Sequence, residues 1–454
     1  MLKIQDIVEI TQGKIVQQGK YTQIKNVCID SRKVKEGDLF VAIKGDRFDG
    51  HDFISQVVRK GVRAIIVDKK VSAPSSVSVI RVRNTVKALG LVGLLHRRQF
   101  TLPIIGITGS AGKSSTKEMI AKVLASKYRV LKTLGTQNNQ IGVPLTLLRL
   151  KKQHEVAVLE LGTSEAGEIE WLTKITQPNI AILTNIGQSH LLGLKNRRGV
   201  FNEKVALVKG LPKDGTVIYN ADDPWLRKIK KYKHPAHKVS YSLNKPSDFR
   251  AEKIQIGKDI QFYVRSRKFQ LETPVQHNIS NALCAIICGS IFKVNYNNIK
   301  KSLLETDKLA GRFRLTRIRN SCVIDDTYNA NPLSFHSAIR AVSNMSTNGR
   351  KIAICADMLE LGEKSKSIHA DLGKDIARSS FDYVLSFGTE SRAIYKTLKS
   401  KSQQAQAFHA ATKKALHQKC VQEIRPGDTV LIKGSRGMQL EQTVEMVKNH
   451  LKQK

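Results

Sequence analysis

The chain has 454 residues, enough for about three domains of ordinary size. A composition of 41% hydrophobic, 25% charged and 6% aromatic residues excludes a disordered or collagen-like chain, and no apolar run approaches the ~18 residues of a membrane span. The formal charge of +38 is spread as +7 over 1–83, +20 over 84–311 and +11 over 312–454, too evenly for a nucleic-acid footprint, so it implies a general pull on anionic small molecules.

The first 15 residues mix charges at short intervals and lack the apolar core of a secretory signal, which predicts a cytoplasmic protein without membrane insertion. Residues 1–83 alternate short apolar runs (27–29, 39–43, 64–67, 77–82) with turn signals and one helical stretch at 53–59, the pattern of a small α/β unit. A helix over 84–98 opens a second unit. There 102–108 reads as a buried strand, a Gly/Ser loop follows, and Met119, Ile120, Val123 and Leu124 recur at helical spacing. Further buried-strand runs at 156–161, 180–184 and 216–219, separated by helical segments, predict a mostly parallel sheet covered on both faces. Near 311 a third unit begins, whose strands at 322–325, 351–355, 383–387 and 430–433 alternate with helices, implying a doubly wound, Rossmann-like α/β domain. The expected division is therefore 1–83, 84–311 and 312–454.

Six cysteines, at 28, 284, 288, 322, 355 and 420, form no CxxC pair and no zinc-type cluster, and read as reduced, mostly buried thiols. The basic run Arg227, Lys228, Lys230, Lys231, Lys233 and Lys238 is interleaved with Ile229 and Tyr232 and reads as a solvated helix face.

The strongest chemical signal is GITGSAGKSS at 106–115, between strand and helix. Glycines there let backbone N–H groups wrap phosphate oxygens, the helix N-terminus adds its positive end, Lys113 neutralises charge, and Ser114 can reach Mg²⁺. Ile107 stands where the strict phosphate-loop pattern has its first glycine. Glu160 and His190 follow strand-type runs and so sit where a parallel sheet presents ligands.

TGSAGKSSTKEM at 108–119, NNQIGVPLTLL at 138–148, ELGTSEAGEI at 160–169, TNIGQSH at 184–190 and HNISNAL at 277–283 together resemble the Mur ligases of peptidoglycan synthesis. DDTYNANP at 325–332, DMLELG at 357–362 with His369, and KGSR at 433–436 are similar to one branch of that family. DSR at 30–32, GDLF at 37–40 and DGH at 49–51 fit its uridine-nucleotide end domain. The resemblance covers nearly the whole chain, in order. Ser114-Ser115 stands where Thr-Thr is commoner, and Gln276, and Cys355-Ala356 before Asp357, replace usual glycines.

The resemblance implies an ATP-dependent peptide ligase that works through an acyl phosphate, with UDP-N-acetylmuramoyl-tripeptide and D-alanyl-D-alanine as substrates and closure of the outer domains on the middle one. Gly109, Ser110, Ala111, Gly112, Lys113, Ser114 and Ser115 would cradle ATP, and Ser114, Glu160 and His190 would ligate Mg²⁺, with two ions expected. Lys204 matches a lysine carbamoylated in the family. Asn278 and Asn281 would contact the nucleotide, Arg312 would reach the transferred phosphate, and Asp326 would lie near the nucleotide. Tyr328, Asn329 and Asn331 would meet the incoming dipeptide, and Ser31 and Arg32 would hold the uridine diphosphate. Lys113, His190, Lys204, Arg312 and Asp326 form the implied catalytic set. Two other readings stand beside it: another amino-acid ligase of the same family, and a basic phosphate-loop ATPase acting on nucleic acid. The ligase reading needs no nucleic acid and expects a monomer.

Overall fold

Short runs of branched aliphatic residues become buried parallel strands in three sheets. The computed structural model describes residues 1–257, 259–305, 310–347, 349–402 and 405–453. The first sheet has five strands in the order Lys14–Gln17, Ser78–Arg81, Ala64–Val67, Leu39–Val41 and Val27–Cys28, parallel except for Lys14–Gln17 at one edge. All four residues of Ala64–Val67 are buried, as a parallel strand covered on both faces requires. The helix Thr85–Arg97 follows, its first turn capped by the Asn84 side chain, which accepts from Lys87 N at 2.8 Å.

The second sheet holds seven parallel strands in the order Phe249–Arg250, His237–Ser242, Thr216–Asn220, Ile180–Leu183, Ile104–Thr108, Val156–Glu160 and Val130–Lys132. Beside it lies a small antiparallel sheet, Glu252–Ile256, Ile260–Val264 and Arg267–Leu271, that the sequence reading did not anticipate. Its second hairpin turns at Arg265 and Ser266, both at positive φ, where Asn-Gly would be the usual signal. The inward Phe262, Phe269 and Leu271 pack with the helix His277–Ile291, whose Cys284 and Cys288 are buried in the same core. All six cysteines are free.

The third sheet has six strands in the order Arg314–Ile318, Ser321–Asp326, Thr429–Lys433, Lys351–Ala356, Tyr383–Phe387 and Gln406–Ala410. The doubly wound expectation holds for five parallel strands. The first, Arg314–Ile318, runs antiparallel because a tight turn at Arg319, at φ 50°, folds it straight back onto its neighbour. Buried apolar residues are continuous from the second sheet (Leu159, Leu183) into the third unit (Ile324, Ala330, Phe335), so the two sheets share a packed junction. The basic stretch near 230 is a short 3₁₀ segment, Leu226–Lys231, with Leu226 and Ile229 inward and its lysines outward. Among the described residues no helix is long and apolar enough to cross a membrane.

Candidate active site

The strand Ile104–Thr108 lies beside Ile180–Leu183, and the chain leaves the first toward Val130–Lys132 at one edge of the sheet and the second toward Thr216–Asn220 on the other side, so the connections diverge between them. In parallel sheets a crevice opens outside the strand ends at such a switch point. The 109–112 loop and the helix Lys113–Ala125 occupy it. A Cβ on Gly109 would lie 1.8 Å from Thr184 Oγ1, and one on Gly112, at φ +81°, 2.8 Å from Asn281 Oδ1. The two glycines therefore permit the close approach of two neighbouring segments as well as of a phosphate.

The 184–189 segment fixes the loop. Thr184 Oγ1 and Asn185 Nδ2 donate to the Ala111 carbonyl at 2.6 and 3.0 Å, and Ala111 N donates back to Asn185 Oδ1 at 2.8 Å. Gly187 N and Ser189 Oγ both donate to Ser110 Oγ at 2.9 Å. Asn185, within a motif read only for His190, is thus a principal support of the phosphate loop. Its role is a tertiary contact with no pattern of its own. Lys113 Nζ donates to the Gly109 carbonyl at 2.8 Å; burial lowers its pKa, Glu160 opposes that shift and Arg312 adds to it.

Ser114 Oγ donates to Glu160 Oε2 at 2.5 Å, while Asn138 Nδ2 donates to Glu160 Oε1 at 2.8 Å. Arg312 reaches across from the junction, its Nη2 donating to Ser114 Oγ at 2.7 Å, with its guanidinium 4.1 Å from the centre of the Tyr328 ring. A buried carboxylate beside a buried hydroxyl, both in the cavity wall, is a hard-oxygen donor pair suited to Mg²⁺. His190 lines the same cavity, at φ 53°, and its Nδ1 pairs with Glu360 Oε2 at 2.5 Å, which holds the Glu360 carboxyl below its ordinary pKa. Among the described residues no group of three or more His, Cys, Asp or Glu side chains is gathered for a metal.

Lys204 is 1% exposed on the helix Arg197–Lys209, and burial, reinforced by Lys113, drives its pKa well below the ordinary lysine value. The preceding Glu203, also buried, accepts from Gly167 N and Ile169 N, each at 2.7 Å, and from Thr163 Oγ1 at 3.1 Å. It therefore shapes the 163–169 loop beside the cavity.

From the third sheet, Asp326 and Lys433 end adjacent parallel strands in register, and their side chains pair at 2.7 Å. Lys433 Nζ also donates to the Asn329 carbonyl at 3.1 Å, and Asp326 Oδ1 accepts from Phe313 N at 3.0 Å. Burial raises the Asp326 pKa, with Lys433 pulling the other way. Asn331 caps the helix Pro332–Ser343 in a reciprocal box with Ser334, and its Nδ2 donates to the Ser110 carbonyl at 3.0 Å. Asn329 Oδ1 accepts from Ala330 N at 2.9 Å.

These groups enclose one cavity of about 990 Å³, lined by all seven loop residues except Gly109, by Glu160 and His190, by Asn278 and Asn281, and by Arg312, Asp326, Tyr328, Asn329 and Asn331. Asn278 and Asn281 do not cap the helix His277–Ile291, whose N-cap is Gln276. Asn281 Oδ1 instead accepts from Thr116 Oγ1 at 3.0 Å and its Nδ2 donates to Asn278 Oδ1 at 3.0 Å. Ser31 and Arg32 lie outside this cavity: Ser31 is buried in the first unit, and Arg32 is exposed and paired with Asp30. Lys204 stands behind the wall rather than in it.

A phosphate loop at the switch point of a parallel sheet, faced across one cavity by the strand ends of a second α/β sheet, defines a three-domain nucleotide-dependent enzyme. Comparison with known proteins agrees. Residues 23–97 match the Mur ligase family catalytic domain, 107–289 the Mur ligase middle domain, and 311–436 the glutamate ligase domain of Mur ligases. The UDP-N-acetylmuramoyl-tripeptide–D-alanyl-D-alanine ligase of Bacillus subtilis (strain 168) is 33% identical over 97% of each chain, and that of Escherichia coli (strain K12) 32% identical over 98% of each. A crystal structure of MurF from Acinetobacter baumannii superposes with a TM-score of 0.90 at 30% identity over 98% of each chain. The MurF ligase of Thermotoga maritima in complex with ADP gives 0.84 at 29% identity, over 94% of this chain and 98% of that one. The chain belongs to the Mur ligase family, as an ATP-dependent ligase.

Proposed function

We infer that this protein joins D-alanyl-D-alanine to UDP-N-acetylmuramoyl-tripeptide, making the UDP-muramoyl-pentapeptide of peptidoglycan synthesis. The observation that carries the reading is the single cavity shared by the phosphate loop and the 326–334 segment, in a chain similar along nearly its whole length to enzymes of that name.

Carboxylate and amine do not condense unaided in water, so the carboxylate is activated first. The terminal carboxylate of the tripeptide attacks the γ-phosphorus of ATP; a carboxyl O–P bond forms, the bridging P–O bond breaks, and ADP leaves. Lys113 and Arg312 neutralise charge on the transferred group, which is the main task in phosphoryl transfer. The dipeptide amine then attacks the acyl carbon, the C–N bond forms, and phosphate departs with the C–O bond electrons as the amine gives up its proton. Mg²⁺, with two ions expected, would be held by Ser114, Glu160 and His190 and would supply Lewis-acid stabilisation at the phosphate oxygens. Asn278 and Asn281 flank the nucleotide side. Asp326 holds Phe313 N and Lys433, while Tyr328, Asn329 and Asn331 stand on the dipeptide side.

Lys204 suits carbamoylation because a buried amine that stays neutral can add to CO₂, forming an N–C bond and releasing a proton, while Lys113 offsets the new negative charge. Ser31 and Arg32 would hold the uridine diphosphate, at a distance from the cavity that the long substrate must span. The chain divides at 83/84 and 311/312, acts as a cytoplasmic monomer, and has no nucleic-acid partner in this scheme. Domain closure would exclude water from the acyl phosphate.

The test is phosphate release from ATP and Mg²⁺ with the UDP-tripeptide, with and without D-alanyl-D-alanine, reading product mass in the same tube. Dipeptide-dependent release with a pentapeptide product is expected. Release with a different amino acid in place of the dipeptide would mark another ligase of the family.

A further inference from the structure

Glu360 belongs to no wall of the cavity, yet its carboxylate holds Nδ1 of His190 at 2.5 Å, and its carbonyl accepts from Leu192 N at 3.3 Å. It comes from the third sheet's side of the junction; His190 comes from the second. The loop that carries Glu360 is firmly mounted. Met358 N donates to Nε2 of the fully buried His369 at 2.9 Å, Leu359 N donates to Ser435 Oγ at 2.9 Å, and Leu361 is buried. Glu360 and His190 both have left-handed backbones, at φ 64° and 53°, and non-glycine residues hold such conformations when the surroundings enforce them. The pair is partly exposed, with side-chain accessibilities of 22% for His190 and 51% for Glu360, so its contribution to stability as an ion pair is small.

Chemistry supplies a different use. An imidazole whose Nδ1–H is donated to a carboxylate is held in one tautomer and one ring orientation, with Nε2 left free to ligate. Two histidines of the cavity wall hold such a partner, His190 and His336, the latter with its Nδ1 2.7 Å from Asp375 Oδ2; His190 is the one read as a cation ligand, and Glu160 and Ser114 stand in the same wall. We propose that Glu360 is a positioning residue that presents His190 to the divalent cation, so that seating the third domain on the second and binding the cation reinforce each other. This rests on the reading of His190 as a cation ligand. By linkage, a cation that binds better when Glu360 is in place must equally favour the seated arrangement.

The experiment is Mn²⁺ titration of the full-length protein with a non-hydrolysable ATP analogue, following free Mn²⁺ by electron paramagnetic resonance. Wild type is compared with Glu360→Ala, Glu360→Gln, His190→Ala and the double variant. Glu360→Ala is expected to weaken at least one Mn²⁺ site about tenfold or more, Glu360→Gln less, and the double variant no more than His190→Ala alone. Thermal unfolding without metal should be near wild type for both Glu360 variants, since the side chain is half exposed. Mn²⁺ affinity unchanged in Glu360→Ala but weakened in His190→Ala would overturn the proposal while leaving His190 a ligand. Unchanged affinity in His190→Ala would remove the ligand reading itself, and the proposal with it.

Discussion

Asn331 Nδ2 donates to the Ser110 carbonyl at 3.0 Å, so the residue that caps the helix Pro332–Ser343 also ties the third domain to the phosphate loop. One amide thus serves two ends: its oxygen accepts from Ser334 N at 2.9 Å, and its nitrogen spans the junction. Replacing Asn331 by Ala removes both, and loss of the cap alone costs about 1 kcal/mol. Asn331→Ser keeps a capping oxygen without the donor. Thermal unfolding is expected to fall for Ala and stay near wild type for Ser, while both raise the KM for ATP.

Gly109 faces Thr184 so closely that any side chain must displace one of them. Gly109→Ala is expected to weaken ADP binding, measured by calorimetry, by tenfold or more while the fold survives, the strain being on the order of 1–3 kcal/mol. The double variant Gly109→Ala/Thr184→Ala removes the hydroxyl that the new methyl meets and should regain part of the loss. No regain would place the cause elsewhere in the loop.

The Asp326–Lys433 pair is buried on the lysine side and ends two adjacent strands. Lys433→Met strips the carboxylate of its cation and should destabilise the protein by about 3 kcal/mol, as breaking buried pairs does. Burial already raises the Asp326 pKa, and Lys433 opposes this, so the variant raises it further. A group with a raised folded pKa adds stability that is present below its unfolded pKa and lost as pH rises through the folded one. Urea melts of Lys433→Met should therefore lose more stability than wild type as pH rises above the ordinary aspartate value of about 3.9, and Asp326→Asn in the same chain should cancel the excess.

Lys204 carries the opposite sign. Its folded pKa is depressed, so the unfolded chain binds the extra proton, and stability climbs as pH rises from neutrality toward the ordinary lysine value of about 10.4. In CO₂-free buffer, Lys204→Met should flatten that climb. Adding ¹³C-bicarbonate to wild type should then give a carbamate carbon signal that the variant lacks; its absence in wild type would refute the carbamoylation reading.

The sequence by itself determined the strands and the loop chemistry, because both are local. Short β-branched runs such as Ala64–Val67 and Val156–Glu160, bounded by turn residues, read as buried strands and are so in the structure, and Gly-Ser-Ala-Gly-Lys-Ser between strand and helix reads as a phosphate loop. Glu160 was legible as a strand-end acid and the family resemblance marked Arg312 and Asp326; the fold brings all three into one cavity. The antiparallel sheet at 252–271 escaped because Arg265 and Ser266 make its turn without a turn signature. Asn185, Glu203, Glu360 and Lys433 carried no legible signal of role, since each acts on a partner far away in the chain: Glu360 on His190, 170 residues distant, and Lys433 on Asn329, 104 residues distant. Spacing encodes what one helix or strand presents. Which carboxylate stands behind which imidazole, and that Ser31 and Arg32 lie outside the cavity, depends on how three sheets pack, and only the tertiary structure decides it.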